Sequence, residues 1–220
     1  MYIIDRLLKN RRYWILFFSI LALIVLPAFM NTPVYTNVLF RITFSLVFFT
    51  SVSAVMTGRR LILFGFSLAL VVAIMQWLSD FFSDQTHLSI TVGILYLAFY
   101  IYIIYRLFLV ITRSQKVNID VIVISVSIYL IVGIIFAVIC SILDRIYPGA
   151  YTEMTIVGPH IYEFVYYSFI TMATVGYGDI VPRIPQTETL AVLIGITGQL
   201  YTAVIVAILV GKFLQQSSER

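Results

Sequence analysis

The stretch Thr171-Met172-Ala173-Thr174-Val175-Gly176-Tyr177-Gly178-Asp179-Ile180-Val181-Pro182 stands between two long apolar runs, and its reading decides the fold. Gly176 and Gly178 lie two residues apart and carry no Cβ, so both tolerate a positive φ that strains other residues. Alternation between left- and right-handed backbone turns consecutive carbonyls toward one axis. Such irregular backbone survives at membrane depth only where it is buried in protein or lines a water- or ion-filled cavity.

Composition supports a membrane setting. Of the 220 residues 61% are hydrophobic and only 11% charged, more apolar surface than a water-soluble domain of this size can hide. Cys140 is the single cysteine and lies inside an apolar run, so it reads as an inert buried thiol. His87 and His160 have no partners at metal-ligand spacing, and no cofactor is expected.

A helix needs about 20 apolar residues to cross a bilayer core. Tyr13–Met30, Val34–Met56, Leu61–Phe82, Leu88–Ile111, Val121–Leu143 and Gln186–Phe213 are long enough, which predicts an all-α chain with six spans. Ile161–Ala173 is too short to cross and predicts a helix that enters and stops halfway. Before the first span, Ile3, Ile4, Leu7 and Leu8 alternate with basic residues, predicting a short amphipathic surface helix over residues 1–12. No cleavable leader is expected, because the first apolar run is too long for one. Beyond Phe213 only Leu214 to Arg220 follow, so no cytoplasmic gating module is expected.

Orientation follows from the basic residues. With a cytoplasmic N-terminus, the inner segments hold Arg6, Lys9, Arg11, Arg12, Arg59, Arg60, Arg113, Lys116, Lys212 and Arg220. The outer segments hold only Arg145 and Arg183, while Arg41 and Arg106 fall within spans. Both termini are then cytoplasmic, and the glycine-containing loop lies on the outer side.

The run Thr174-Val175-Gly176-Tyr177-Gly178-Asp179 resembles the selectivity filter of potassium channels, whose main-chain carbonyls replace the water shell of the ion. From about Val121 onward the chain resembles the outer helix, pore helix, filter and inner helix of that superfamily; the preceding part matches it in span count alone. The resemblance implies K+ coordination by the carbonyls of Thr174, Val175, Gly176 and Tyr177, with the Thr174 hydroxyl closing the lowest ring and Gly178 completing the loop. Val175 and Tyr177 are expected to point away from the axis and pack behind the loop. One filter per chain implies a homotetramer in lipid, passing K+ passively, with no covalent chemistry and no nucleic acid.

Further roles follow from the same resemblance. Asp179 takes the position of an acid that bonds to an aromatic side chain of the pore helix, where the family's paired tryptophans are replaced by Tyr166 and Tyr167; Thr171 is a further support. Ile170 stands where some relatives carry glutamate. Gly198 matches the gating-hinge glycine of the inner helix, with Gly195 its near competitor. Close packing is the other reading, because Gly195, Gly198, Ala203, Ala207 and Gly211 repeat at about four-residue spacing. Glu163 suits the positive end of the pore-helix dipole, Lys212 the cytoplasmic interface. Val181 replaces an aromatic that binds external tetraethylammonium in some relatives, so weak block is expected.

Residues 13–115 are expected to form a four-helix unit and residues 116–220 the pore unit, in a bacterial inner membrane. The fourth span carries Arg106 alone, with Arg113 just past its end, where a voltage sensor carries an arginine at every third position. Arg106 is expected to anchor at the cytoplasmic interface and Arg41 to pair with Asp80 or Asp84. The short link Thr112–Asn118 predicts that the four-helix unit packs on its own chain's pore unit. Two alternatives stay open, a voltage-gated channel with a degenerate sensor and a non-conducting regulatory subunit. The gating stimulus and any regulatory partner are open as well.

Overall fold

The structure is a computed structural model that describes residues 2–30, 32–56, 59–81, 86–114, 117–152 and 160–218. Its helices in chain order are α1 (Tyr2–Val25), α2 (Pro33–Val55), α3 (Arg59–Phe81), α4 (Thr86–Arg113), α5 (Ile119–Ile146), α6 (His160–Met172) and α7 (Pro185–Ser218), with a 3-10 turn at Leu26–Phe29. Among the described residues the one pairing of extended backbone is the antiparallel bridge of Tyr151 with Pro182. The all-helical expectation agrees with this architecture.

Local chemistry sets the helix ends. Pro27 lacks an amide hydrogen and sits where α1 tightens into the 3-10 turn. Pro33 opens α2 and Pro185 opens α7, positions where the missing donor costs nothing. The Asn118 side chain accepts from the Val121 amide at 3.1 Å and caps α5. Inside the helices, Thr43, Thr50, Ser125 and Ser127 return their hydroxyls to carbonyls three or four residues back, which satisfies these four hydrogens without water.

Among the described residues five stretches are long and apolar enough to cross a membrane: Arg11–Phe29, Val34–Val55, Ile90–Arg113, Ile119–Ile146 and Pro185–Gln215. The sixth expected span falls on α3, a 23-residue helix whose described apolar stretch is Gly65–Trp77. No break in α1 marks the boundary expected at residue 12, and the side chains of residues 1–10 lie outside the described residues.

An aromatic layer joins α2 to α4. Phe44 and Phe48 of α2 pack against Tyr96 and Tyr100 of α4 with ring centroids 5.2–6.2 Å apart. Ser19 of α1 and Thr50 of α2 share a hydroxyl hydrogen bond of 2.8 Å. The Arg106 guanidinium donates to the Tyr102 hydroxyl at 3.0 Å and to the Val55 carbonyl at 3.3 Å, placing its charge on the C-terminal end of α2. The Arg41 guanidinium lies 5.8 Å above the Trp77 ring. Its expected pairing with Asp80 or Asp84 falls outside the described side chains.

Within the single chain the first four helices pack on α5 and α6. Both α1 and α4 lie against α5. The Tyr162 hydroxyl of α6 donates to the Ile24 carbonyl at 3.3 Å, and its ring meets Phe40 edge-on at 6.0 Å. At the other end the Lys212 ammonium of α7 donates to the carbonyls of Ile111 at 2.7 Å, Ser114 at 2.8 Å and Thr112 at 3.4 Å. A lysine expected to snorkel thus closes the open carbonyls at the end of α4 and ties α7 to it.

Candidate functional site

The site is the loop between α6 and α7, and α6 positions it. The α6 helix is held against α5 by the Ser168 hydroxyl, which donates to the Gly133 carbonyl at 2.8 Å. A Cβ at Gly133 would lie 2.5 Å from the Phe169 ring, so glycine there lets α6 approach. Glu163 lies buried in the first turn of α6, at the positive end of the dipole, as the sequence suggests.

The end of α6 reverses the chain. The Val175 amide donates to the Ile170 carbonyl at 2.8 Å and the Thr174 amide to the Thr171 carbonyl at 3.0 Å. This 6→1 and 5→2 pair is a Schellman motif, in which the residue after the cap is left-handed. That residue is Thr174, with φ 59°. Glycine usually fills such a position, because a β-carbon there costs about 1–2 kcal/mol. Sequence reasoning expected positive φ at the two glycines and missed the threonine.

Gly176 at φ 52° and Gly178 at φ 82° continue the pattern, so left-handed residues alternate at 174, 176 and 178. The Gly176 amide also returns to the Ile170 carbonyl, at 3.2 Å. In a planar trans peptide the carbonyl of one residue points opposite to the amide of the next. The amides of 174, 175 and 176 all turn back to α6, so the carbonyls of Ala173, Thr174 and Val175 face away from it.

The outer limb of the loop is tied down by two side chains. The Tyr166 hydroxyl donates to one Asp179 carboxylate oxygen at 2.5 Å, while the Ile180 amide donates to the other at 3.0 Å. Tyr167, the other aromatic candidate, does not reach Asp179: it is buried against Tyr151, centroids 5.4 Å apart, and its hydroxyl meets Thr171. Consecutive helix positions point about 100° apart, so one tyrosine alone can face the loop. The sequence also hid Thr152, whose hydroxyl accepts from the Val181 amide at 3.0 Å and donates to the Asp179 carbonyl at 3.2 Å.

Val175 and Tyr177 are 50% and 73% exposed, so one chain does not supply the packing expected behind the loop. Gly198 of α7 abuts the base of the loop. A Cβ at this position would lie 2.1 Å from the Met172 carbonyl oxygen, whereas one at Gly195 would meet nothing within 4 Å. The α7 helix runs unbroken through both positions.

The Tyr166 hydrogen bond, chiefly, holds the Asp179 carboxyl below the usual carboxylate range. A depressed acid stabilises the folded loop above its ordinary pKa and loses that contribution as the pH falls through the depressed value. Tyr166→Phe removes the donor, so the loop should fail at a higher pH than in the parent. Ion flux from vesicles, followed from neutral pH downward, checks this: overlapping acid limbs for the two proteins would contradict it.

Residues 121–215, from the start of α5 to near the end of α7, match the sequence model of a family described as ion channel. That description is of channels and not of enzymes, and it supports passive ion conduction by this part of an all-helical chain. Comparison with curated proteins and with solved structures gave no match.

Proposed function

We propose that four copies of this chain surround one axis and form a potassium-selective channel through which K+ moves passively. The carbonyls of Thr174, Val175, Gly176 and Tyr177 coordinate K+, with the Thr174 hydroxyl at the inner end and Gly178 completing the turn. The observation that carries this reading is the alternation of left-handed backbone at Thr174, Gly176 and Gly178, with the amides of 174 to 176 returned to α6. Stacked oxygen rings need that backbone, because each residue must offer its carbonyl to the same side. Left-handed threonine, held where glycine would be cheaper, is strain of the kind found at functional sites.

Assembly accounts for the exposed apolar groups. Val175 and Tyr177 pack against a neighbouring subunit, and Ile196, Leu200, Val204 and Val210 of α7, all exposed in one chain, face the neighbours and the central cavity. Residues 116–220 are the pore unit and 13–115 a six-span channel's peripheral four-helix unit, with both termini cytoplasmic in a bacterial inner membrane. Arg106 is committed to α2 and Tyr102, and no other arginine or lysine lies inside α4 before Arg113, so the channel is not steeply voltage-gated. The test is flux from vesicles holding purified protein. Potassium flux blocked by barium, with sodium excluded, is the expected result; equal sodium flux would remove the selectivity claim.

A further inference from the structure

A cavity of about 370 Å³ opens beside the last two turns of α4, lined by Arg106, Leu109, Val110, Arg113 and Ser114. The positions from 106 to 113 follow helical spacing of three and four, so one face of α4 carries a cation at each end of an aliphatic pair. We propose that this cavity binds the headgroup of an anionic phospholipid. The proposal rests on the reading above only for placing this end of α4 at the cytoplasmic membrane surface.

The two arginines are prepared differently. Arg106 is fixed through the Val55 carbonyl and the Tyr102 hydroxyl, which leaves further guanidinium donors directed by a held side chain. Arg113 is exposed and has no partner among the described residues. The rise of a helix separates them by about 10 Å along the axis. Arg113, at the helix end, takes the phosphate, while Arg106, deeper toward the bilayer, donates to the ester oxygens, and Leu109 and Val110 face the glycerol and first methylenes. A soluble phosphate would leave that aliphatic strip and the deeper arginine unused.

The negative end of the α4 dipole would ordinarily repel a phosphate. Here the Lys212 ammonium sits on the carbonyls of Ile111, Thr112 and Ser114 and cancels it. No acidic residue is among the described lining of the cavity. The same lysine links the site to function: Ser114, on its rim, is bonded to α7, so an occupied cavity bears on the cytoplasmic end of the pore-lining helix.

Native mass spectrometry of the delipidated full-length protein, titrated with phosphatidylglycerol or phosphatidylcholine, tests this. Phosphatidylglycerol should be retained preferentially, and Arg113→Gln should weaken that retention about fivefold, the factor expected of one basic residue near an anionic surface. Arg145→Gln, an exposed arginine in the last turn of α5 and at the far end of that helix from the cavity, should leave retention unchanged. Three results would overturn the proposal: parent-like retention by Arg113→Gln, equal weakening by Arg145→Gln, or displacement of the lipid by inorganic phosphate. Retention is read as mass and needs no conduction. Protein that holds the lipid yet passes no potassium therefore refutes the channel reading and leaves the site standing.

Discussion

Gly176→Ala is expected to reduce potassium flux at least a hundredfold while the protein still assembles. Gly176 sits at φ 52°, and a Cβ built there meets nothing within 4 Å. Within one chain the penalty therefore comes from the backbone and not from crowding. A left-handed alanine costs about 1–2 kcal/mol, so four subunits around one axis carry about 4–8 kcal/mol together. The chain escapes that cost by rotating to negative φ, which turns an adjoining carbonyl away from its ring. An ion then meets a gap in its cage and either stays hydrated or is replaced by sodium. Gly211→Ala provides the contrast, since Gly211 has open space and no positive φ. Size-exclusion profiles and vesicle flux measured on both variants decide the matter. Parent-like, sodium-excluding flux from Gly176→Ala would refute the coordination proposed for this loop.

Much of the architecture was legible because membrane helices leave strong signals. Apolar length is a local property, and the helices follow it. The loop was legible for the same reason, since two glycines around one residue announce unusual backbone. What stayed hidden depends on three dimensions. Thr174 takes a left-handed angle because the bonds of Val175 and Thr174 to α6 demand it, and nothing in a threonine signals that. Tyr166 and Tyr167 are adjacent and chemically alike, and only the rotation of α6 decides which one reaches Asp179. Lys212 read as an interface lysine, yet its acceptors lie about 100 residues earlier in the chain. Val175 and Tyr177 are exposed in a single chain, and only the proposed assembly gives them surroundings.

The two glycines of α7 separate in the same way. On sequence, both Gly195 and Gly198 suit either a hinge or a close contact. The structure presses Gly198 against the end of α6, where a Cβ would lie 2.1 Å from the Met172 carbonyl oxygen and 2.9 Å from its carbonyl carbon. Those are backbone atoms one and two bonds from Ala173 at the start of the loop, and they cannot rotate aside as a side chain would. Gly198→Ala must therefore push α6 and α7 apart, at an overpacking cost of about 1–3 kcal/mol per subunit. The displacement reaches Ala173 and Thr174 directly, so flux should fall along with thermal stability. Gly195→Ala should behave oppositely: its methyl group enters open space, and removing a glycine from a helix interior gains up to about 1 kcal/mol. Any bending of α7 at Gly198 would drag Met172 with it and open the base of the loop. A hinge at Gly195 would leave that contact intact, so Gly195→Ala should alter open probability without lowering the melting temperature. Melting curves and single-channel recordings of the two variants separate these roles, and a Gly198→Ala protein with parent-like stability and conductance would show that the close approach of α6 and α7 does not hold the loop in place.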